Sequence, residues 1–94
     1  MKKQIVYKIL TASEYAALVH DGIFSGSLLD ISDGFIHMST ADQVTATVDL
    51  YFKGHSGLML AAIDQEVLGP SLRWEVSRAG QIFPHFYGPL TLAA

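Results

Sequence analysis

The chain first reads as two successive strand-then-helix units. From Gln4 to Leu10 the residues are apolar and β-branched apart from Lys8, which predicts a strand. Thr11-Ala12-Ser13-Glu14 then fits a capping box, a hydroxyl followed three residues on by a carboxylate. Tyr15, Leu18 and Val19 supply one apolar helical face, and Gly22 is a stop. The mixed stretch Ile23 to Asp30 predicts a loop or a short irregular strand, and Ser32-Asp33-Gly34 a turn. Phe35 to Ser39 is a second short strand. Thr40-Ala41-Asp42-Gln43 is a second capping-box match. Val44, Val48, Tyr51 and Phe52 form an amphipathic stripe that Gly54 would close.

After Gly57 the rhythm changes. Leu58 to Ile63 is a continuous apolar run, as in a buried central strand. Asp64 to Ser71 holds Gly69-Pro70 and must turn. Leu72 to Ser77 reads as a strand with Trp74 and Val76 on its core side, and Ala79-Gly80 as a turn. Pro84 cannot donate to a ladder, so Ile82 to Tyr87 is expected to be an edge or irregular segment. Gly88-Pro89 breaks the chain before a last strand in Leu90 to Ala94. The sum is an α+β fold: a small mixed or antiparallel sheet of about five to six short strands with two helices. The last strands leave no room for the crossover helices of a doubly wound parallel sheet.

Composition narrows the class. With 94 residues the chain makes one domain, residues 1–94, and 50% hydrophobic against 16% charged residues argues against disorder. A net charge of −3 gives no basic footprint for nucleic acid. There is no cysteine, hence no disulfide or thiolate nucleophile. The N-terminal apolar run breaks at Lys8, too early for a signal peptide, and no window suits a membrane helix. A cytoplasmic protein without a membrane segment is expected. A monomer and a homodimer both fit, since a short last strand would leave a sheet edge to cover.

Three clusters carry candidate chemistry. In an extended Phe35-Ile36-His37-Met38-Ser39, the side chains of Phe35, His37 and Ser39 share one face. If Thr40 opens a helix, its amides add an anion-binding end. In Leu72 to Arg78, Glu75 could act as a base or take a ribose hydroxyl. Burial would raise its pKa and a neighbouring Arg would lower it. The plainer alternative is an Arg73–Glu75 ion pair on a solvated face. In Phe83 to Pro89, His85 and Tyr87 fall on one side, either as a rigid pocket wall or as ordinary aromatic packing. Phosphate-binding glycine loops and nucleophile elbows are absent. A metal site from His37, His85 and Glu75 would have scattered ligands, and none is expected. His20 and His55 lie at helix ends, where surface roles are ordinary.

Together these stretches resemble a small bacterial family, domain of unknown function 952. The resemblance runs through Ile5 to Ile9, Asp33 to Thr40 with Gln43-Val44, Leu72 to Glu75 with Ser77-Arg78 and Gly80, and Phe83-Pro84-His85 with Tyr87 to Leu90. It implies a reduced ADP-ribosylation-like fold. By that resemblance Lys8, Ser39-Thr40 and Glu75 are the candidates: Lys8 would hold a diphosphate or ribose, Ser39 the nicotinamide amide, and Glu75 the ribose hydroxyl, with NAD as the implied cofactor. Lys8 stands where such transferases have Arg or His, and His37 and His85 have no counterpart there.

The expected pocket therefore has His37, Ser39 and Thr40 on one wall and Glu75, Arg78, His85 and Tyr87 on the other. His37, Glu75 and His85 are the catalytic candidates. Lys8, Ser39, Thr40, Arg78 and Tyr87 are the ligand-binding candidates. Three functions compete: an enzyme or remnant enzyme for a nucleotide or phosphorylated ligand, a binding module for a small anionic metabolite, and a structural or interaction domain. The first requires His37 and His85 to converge. The third requires both imidazoles to be satisfied internally and no cavity.

Overall fold

The structure, a computed structural model, describes residues 4–91. Strand β1 (Ile5–Leu10) is followed by α1 (Ala12–Asp21), β2 (Ile23–Phe24), α2 (Leu28–Asp33), β3 (Ile36–His37) and α3 (Val44–Tyr51). Then come β4 (Met59–Asp64), α4 (Gln65–Leu68), β5 (Leu72–Val76), β6 (Ile82–Phe86) and β7 (Leu90–Thr91). All strand pairs are antiparallel: β1 with β4, β2 with β7, and a three-stranded sheet ordered β3-β6-β5. The fold is thus α+β, with seven short strands and four short α-helices among the described residues. The final residues of the expected last strand, 92–94, lie outside them.

α1 forms where its capping signals stand. Thr11 Oγ1 accepts from the Glu14 amide, the Thr11 amide donates to Glu14 Oε1, and Gly22 ends the helix at φ 75°. Of its apolar face only Leu18 is buried.

The sequence expectations need several corrections. Of the two alternatives for Ile23 to Asp30, the short strand holds at β2, but the segment then opens α2, which was not expected and which Ser27 and Asp30 cap reciprocally. Asp64 to Ser71 turns through α4 and a 3-10 turn. The apolar run at β4 is an edge strand paired only with β1 among the described residues; Ile63 is buried, while Met59 and Leu60 are exposed. Trp74 and Val76 are exposed rather than on a core side. α3 begins at Val44 without a side-chain cap and ends at Tyr51, with Phe52 rather than Gly54 at its cap.

The largest reversal concerns β6, which is central rather than an edge despite Pro84. The Pro84 carbonyl accepts from the Met38 amide, so the missing Pro84 donor also belongs on the β3 side. Facing β5, Pro84 opposes Trp74 in a pair that needs no donor from it. The proline therefore removes one bond at the end of a two-residue strand. There the chain leaves β6 and pairs with β1 instead. Tyr7 N–H donates to Ser39 O at 2.7 Å, and Ser39 N–H donates to Tyr7 O at 2.8 Å.

Nearly every element contributes to one core. Val6, Leu10, Leu18, Phe24, Ile36 and Phe86 are among its members. Ile36 and Phe86 oppose each other in that core, so the pleat turns His37 and His85 to the opposite face.

Candidate functional site

That opposite face forms one wall of a cleft of about 570 Å³, in the size range of small-molecule sites. Its other walls come from β1, α1, α2 and α3. His37 and His85 are directly opposed across β3 and β6, with ring centroids 5.7 Å apart, and both line the cleft.

His85 is 4% exposed. Its Nδ1 lies 2.8 Å from Glu75 Oε1, the same oxygen that accepts from Tyr87 OH at 2.7 Å. Phe35 stacks on the His85 ring at 4.0 Å, and the Arg73 guanidinium lies 4.8 Å from the Tyr87 ring centroid. Among the described residues His85 Nε2 has no hydrogen-bond partner, and it is not sealed from solvent. The Tyr87 and His85 bonds hold the Glu75 carboxyl below its ordinary range, aided by the nearby Arg73 charge. The shared Tyr87–Glu75 bond correspondingly raises the Tyr87 phenol.

His37 is tied at both ends. Nδ1 meets Asp30 Oδ1 at 2.6 Å and Nε2 meets Asp33 Oδ2 at 2.9 Å. Asp30, 2% exposed, is the hub. Oδ1 also accepts from the His37 amide at 3.0 Å. Oδ2 accepts from the Ser27 amide at 2.9 Å and pairs with Lys8 Nζ at 3.0 Å. Burial works to raise the Asp30 carboxyl. The His37 ring, the Lys8 charge and the two amides outweigh it and hold Asp30 far below the carboxylate range. Lys8 Nζ donates in addition to His37 O at 3.0 Å, so two of its three donors are engaged.

The remaining candidates divide. Ser39 is buried on the cleft wall, 3.4 Å from Thr47 Oγ1. Thr40 does not line the cleft and does not open a helix. Its amide is taken by Gln43 Oε1, while Gln43 Nε2 donates to Ile82 O, so that end is closed to an anion. Glu75 and Tyr87 stand behind His85 rather than on the cleft surface. Arg78 starts the 3-10 turn 78–80; its side chain lies outside the described residues. Arg73 lies over the Tyr87 ring, a contact the ion-pair alternative did not foresee. Among the described residues no group of three or more His, Asp or Glu is arranged to hold a metal ion.

Sequence reasoning missed Asp30 and Asp33 as site residues. The signal for Asp30 was present: Ser27-x-x-Asp30 is a capping box with Asp in the acidic position, only six helical residues long.

The chain is a member of the family described as Protein of unknown function (DUF952), matched over residues 9–94. The crystal structure of protein CC0527 from Caulobacter crescentus is similar to it at 44% identity and a TM-score of 0.90, covering 95% of this chain and 78% of that one. A crystal structure of a double mutant of CC0527 gives 43% identity, a TM-score of 0.90 and the same coverage. Its solution NMR structure gives 44% identity and a TM-score of 0.84 over 95% of this chain and 77% of that one. Comparison with curated proteins gave no match. No helix among the described residues is long and apolar enough to cross a membrane.

Proposed function

We propose that the cleft is an acid–base active site for a small molecule, with His85 as the group that exchanges a proton with it. One observation carries this reading: a buried imidazole that lines the cleft, with Nδ1 anchored on a carboxylate and Nε2 without a hydrogen-bond partner among the described residues. Nδ1–H donating to Glu75 selects the tautomer with its lone pair on Nε2. A substrate O–H or N–H within reach of Nε2 would pass its proton there, and the ionised Glu75 would stabilise the imidazolium that forms. Tyr87 keeps Glu75 oriented, and Phe35 holds the plane of the ring. His37, tied to two carboxylates, is a positioning residue that shapes the same wall beside His85.

NAD or an ADP-ribose-like ligand is what the ADP-ribosylation-like resemblance would bring. Its diphosphate would meet a lining of three carboxylates, Glu14, Asp30 and Asp33, and one described ammonium with a single spare donor. The acid–base reading needs no such ligand.

The test is an NMR-detected fragment screen that includes NAD and ADP-ribose, with long-range proton–nitrogen spectra of the histidines. Expected are an Nδ1-protonated His85 and fragments that shift its ring together with the amides of Met38, Ser39 and Phe83. His85→Gln should weaken those fragments by about tenfold, as losing one buried polar partner does. An Nε2-protonated tautomer, or fragments that leave His85 unmoved, would overturn the proposal.

A further inference from the structure

The cleft offers its ligand a second contact beside His85, an inference that rests on the acid–base reading of that residue. Lys8 lines the cleft from β1, and its side chain is only 7% exposed. An ammonium carries three hydrogens to donate. Two are placed, on Asp30 Oδ2 and on His37 O, each at 3.0 Å. The third has no acceptor among the described residues. A buried donor without a partner is costly, which favours any molecule that brings an acceptor to it.

Charge decides what kind of acceptor that is. His37 meets a carboxylate at each ring nitrogen, so both nitrogens donate and the ring is cationic. Among the described residues the lining therefore pairs Lys8 and His37 with Asp30 and Asp33. Glu14 is left over, but it stands in the first turn of α1, where the positive end of the helix offsets it. An anion would lose its water and find no unspent positive charge, and a cation would find only that offset carboxylate. An uncharged molecule avoids both losses, and Ile9 and Met38 give its body apolar surface. His37 brings the two contacts together. Its carbonyl accepts from Lys8 Nζ, and its ring lies 5.7 Å from the His85 ring.

We infer that the ligand is an uncharged carbonyl compound, its oxygen taken by the third hydrogen of Lys8 and its proton by His85. The proton is one conjugated with that carbonyl, as in an amide. When the N–H or O–H bond breaks, the proton rests on His85 Nε2 and the bonding pair spreads onto the carbonyl oxygen. The Lys8 ammonium, already fixed by Asp30 and His37 O, then faces the charge that develops. Return of the proton restores the neutral molecule. Lys8 is thus a second catalytic residue rather than the diphosphate or ribose contact that the family resemblance implies.

The full chain is titrated at neutral pH with benzamide, benzoate and benzylamine, three head groups on one ring. NMR follows the Met38 and Ser39 amides, the His85 ring and the Lys8 ammonium resonance. Lys8→Met would orphan the buried Asp30 carboxylate, so contact is read in the unaltered chain from the ammonium itself. Benzamide should bind about tenfold more tightly than either ion, and should move the Lys8 and His85 resonances with one midpoint. Suppose instead that an ion binds as well as benzamide, or that benzamide moves His85 and leaves the Lys8 ammonium unchanged. The carbonyl inference is then overturned while the His85 reading stands. If no probe moves His85, both fall.

Discussion

Replacing Asp30 by alanine should be the most damaging single change at this site. The substitution removes the carboxylate facing buried Lys8, whose ammonium is left with the His37 carbonyl. It also strips an acceptor from the amides of Ser27 and His37 and from His37 Nδ1. Removing one partner of a buried ion pair costs about 3–5 kcal/mol, because the other charge stays buried without compensation. A domain of this size has roughly 5–15 kcal/mol in total, so a large share of its stability is at stake. At roughly 4–8 °C per kcal/mol, the melting temperature should fall by roughly 12–40 °C. Urea denaturation of the wild type, Asp30→Ala, Lys8→Met and the double variant measures this directly. The double variant should be more stable than the sum of the singles by about 1 kcal/mol or more, since it buries no orphaned charge. Asp30→Asn keeps one acceptor oxygen and should fall between. A loss below about 1 kcal/mol for Asp30→Ala, or strict additivity, would refute the view that these groups form one coupled network.

Other outcomes follow from the same contacts. Asp30 stays ionised in the fold at pH values where the unfolded chain, at its ordinary 3.8, takes up a proton. Stability should therefore be full above that range and fall as pH drops below it; Glu75 acts in the same direction from 4.5, and acid titrations of Asp30→Asn should show a shallower loss. Glu75→Gln should let the Tyr87 phenol titrate closer to its ordinary 10.0, read from its ring carbon shifts at alkaline pH. Gly26→Ala should destabilise by about 1–3 kcal/mol in urea, since φ is +131° and an added Cβ would lie 2.8 Å from Asp30 Cβ.

Much of the fold was legible where a local rule acted alone. Thr11, Glu14 and Gly22 bounded α1 because capping and a left-handed stop need no tertiary partner. Misreadings occurred where pairing decided. Pro84 suggested an edge because a proline lacks a donor, yet its vacant side faces the end of a two-residue strand. The run at β4 looked central by composition, but of its side chains only Ile63 is buried in the core, with Ala61 packed against it half-buried. The convergence of His37 with His85 and of Glu75 with Tyr87 depends on register between strands, which alternation within each strand cannot reveal. Asp30 escaped because its helix is short and its neighbours Leu28, Leu29 and Ile31 are all exposed, so no amphipathic pattern marks the segment.

The crossing of β1 with the segment after β3 has a dynamic meaning. Two amides, those of Tyr7 and Ser39, join the β1–β4 ribbon to the three-stranded sheet, and the Lys8 ammonium bridges the same seam to Asp30 and His37 O. Lys8 and Ile9 face the cleft from one side of that seam, and His37, Met38 and Ser39 from the other. Parting the seam would therefore also open the cleft. Hydrogen exchange at Tyr7 and Ser39 would report how often the molecule breathes there, short of global unfolding. A ligand spanning both sides would slow that exchange in proportion to its affinity.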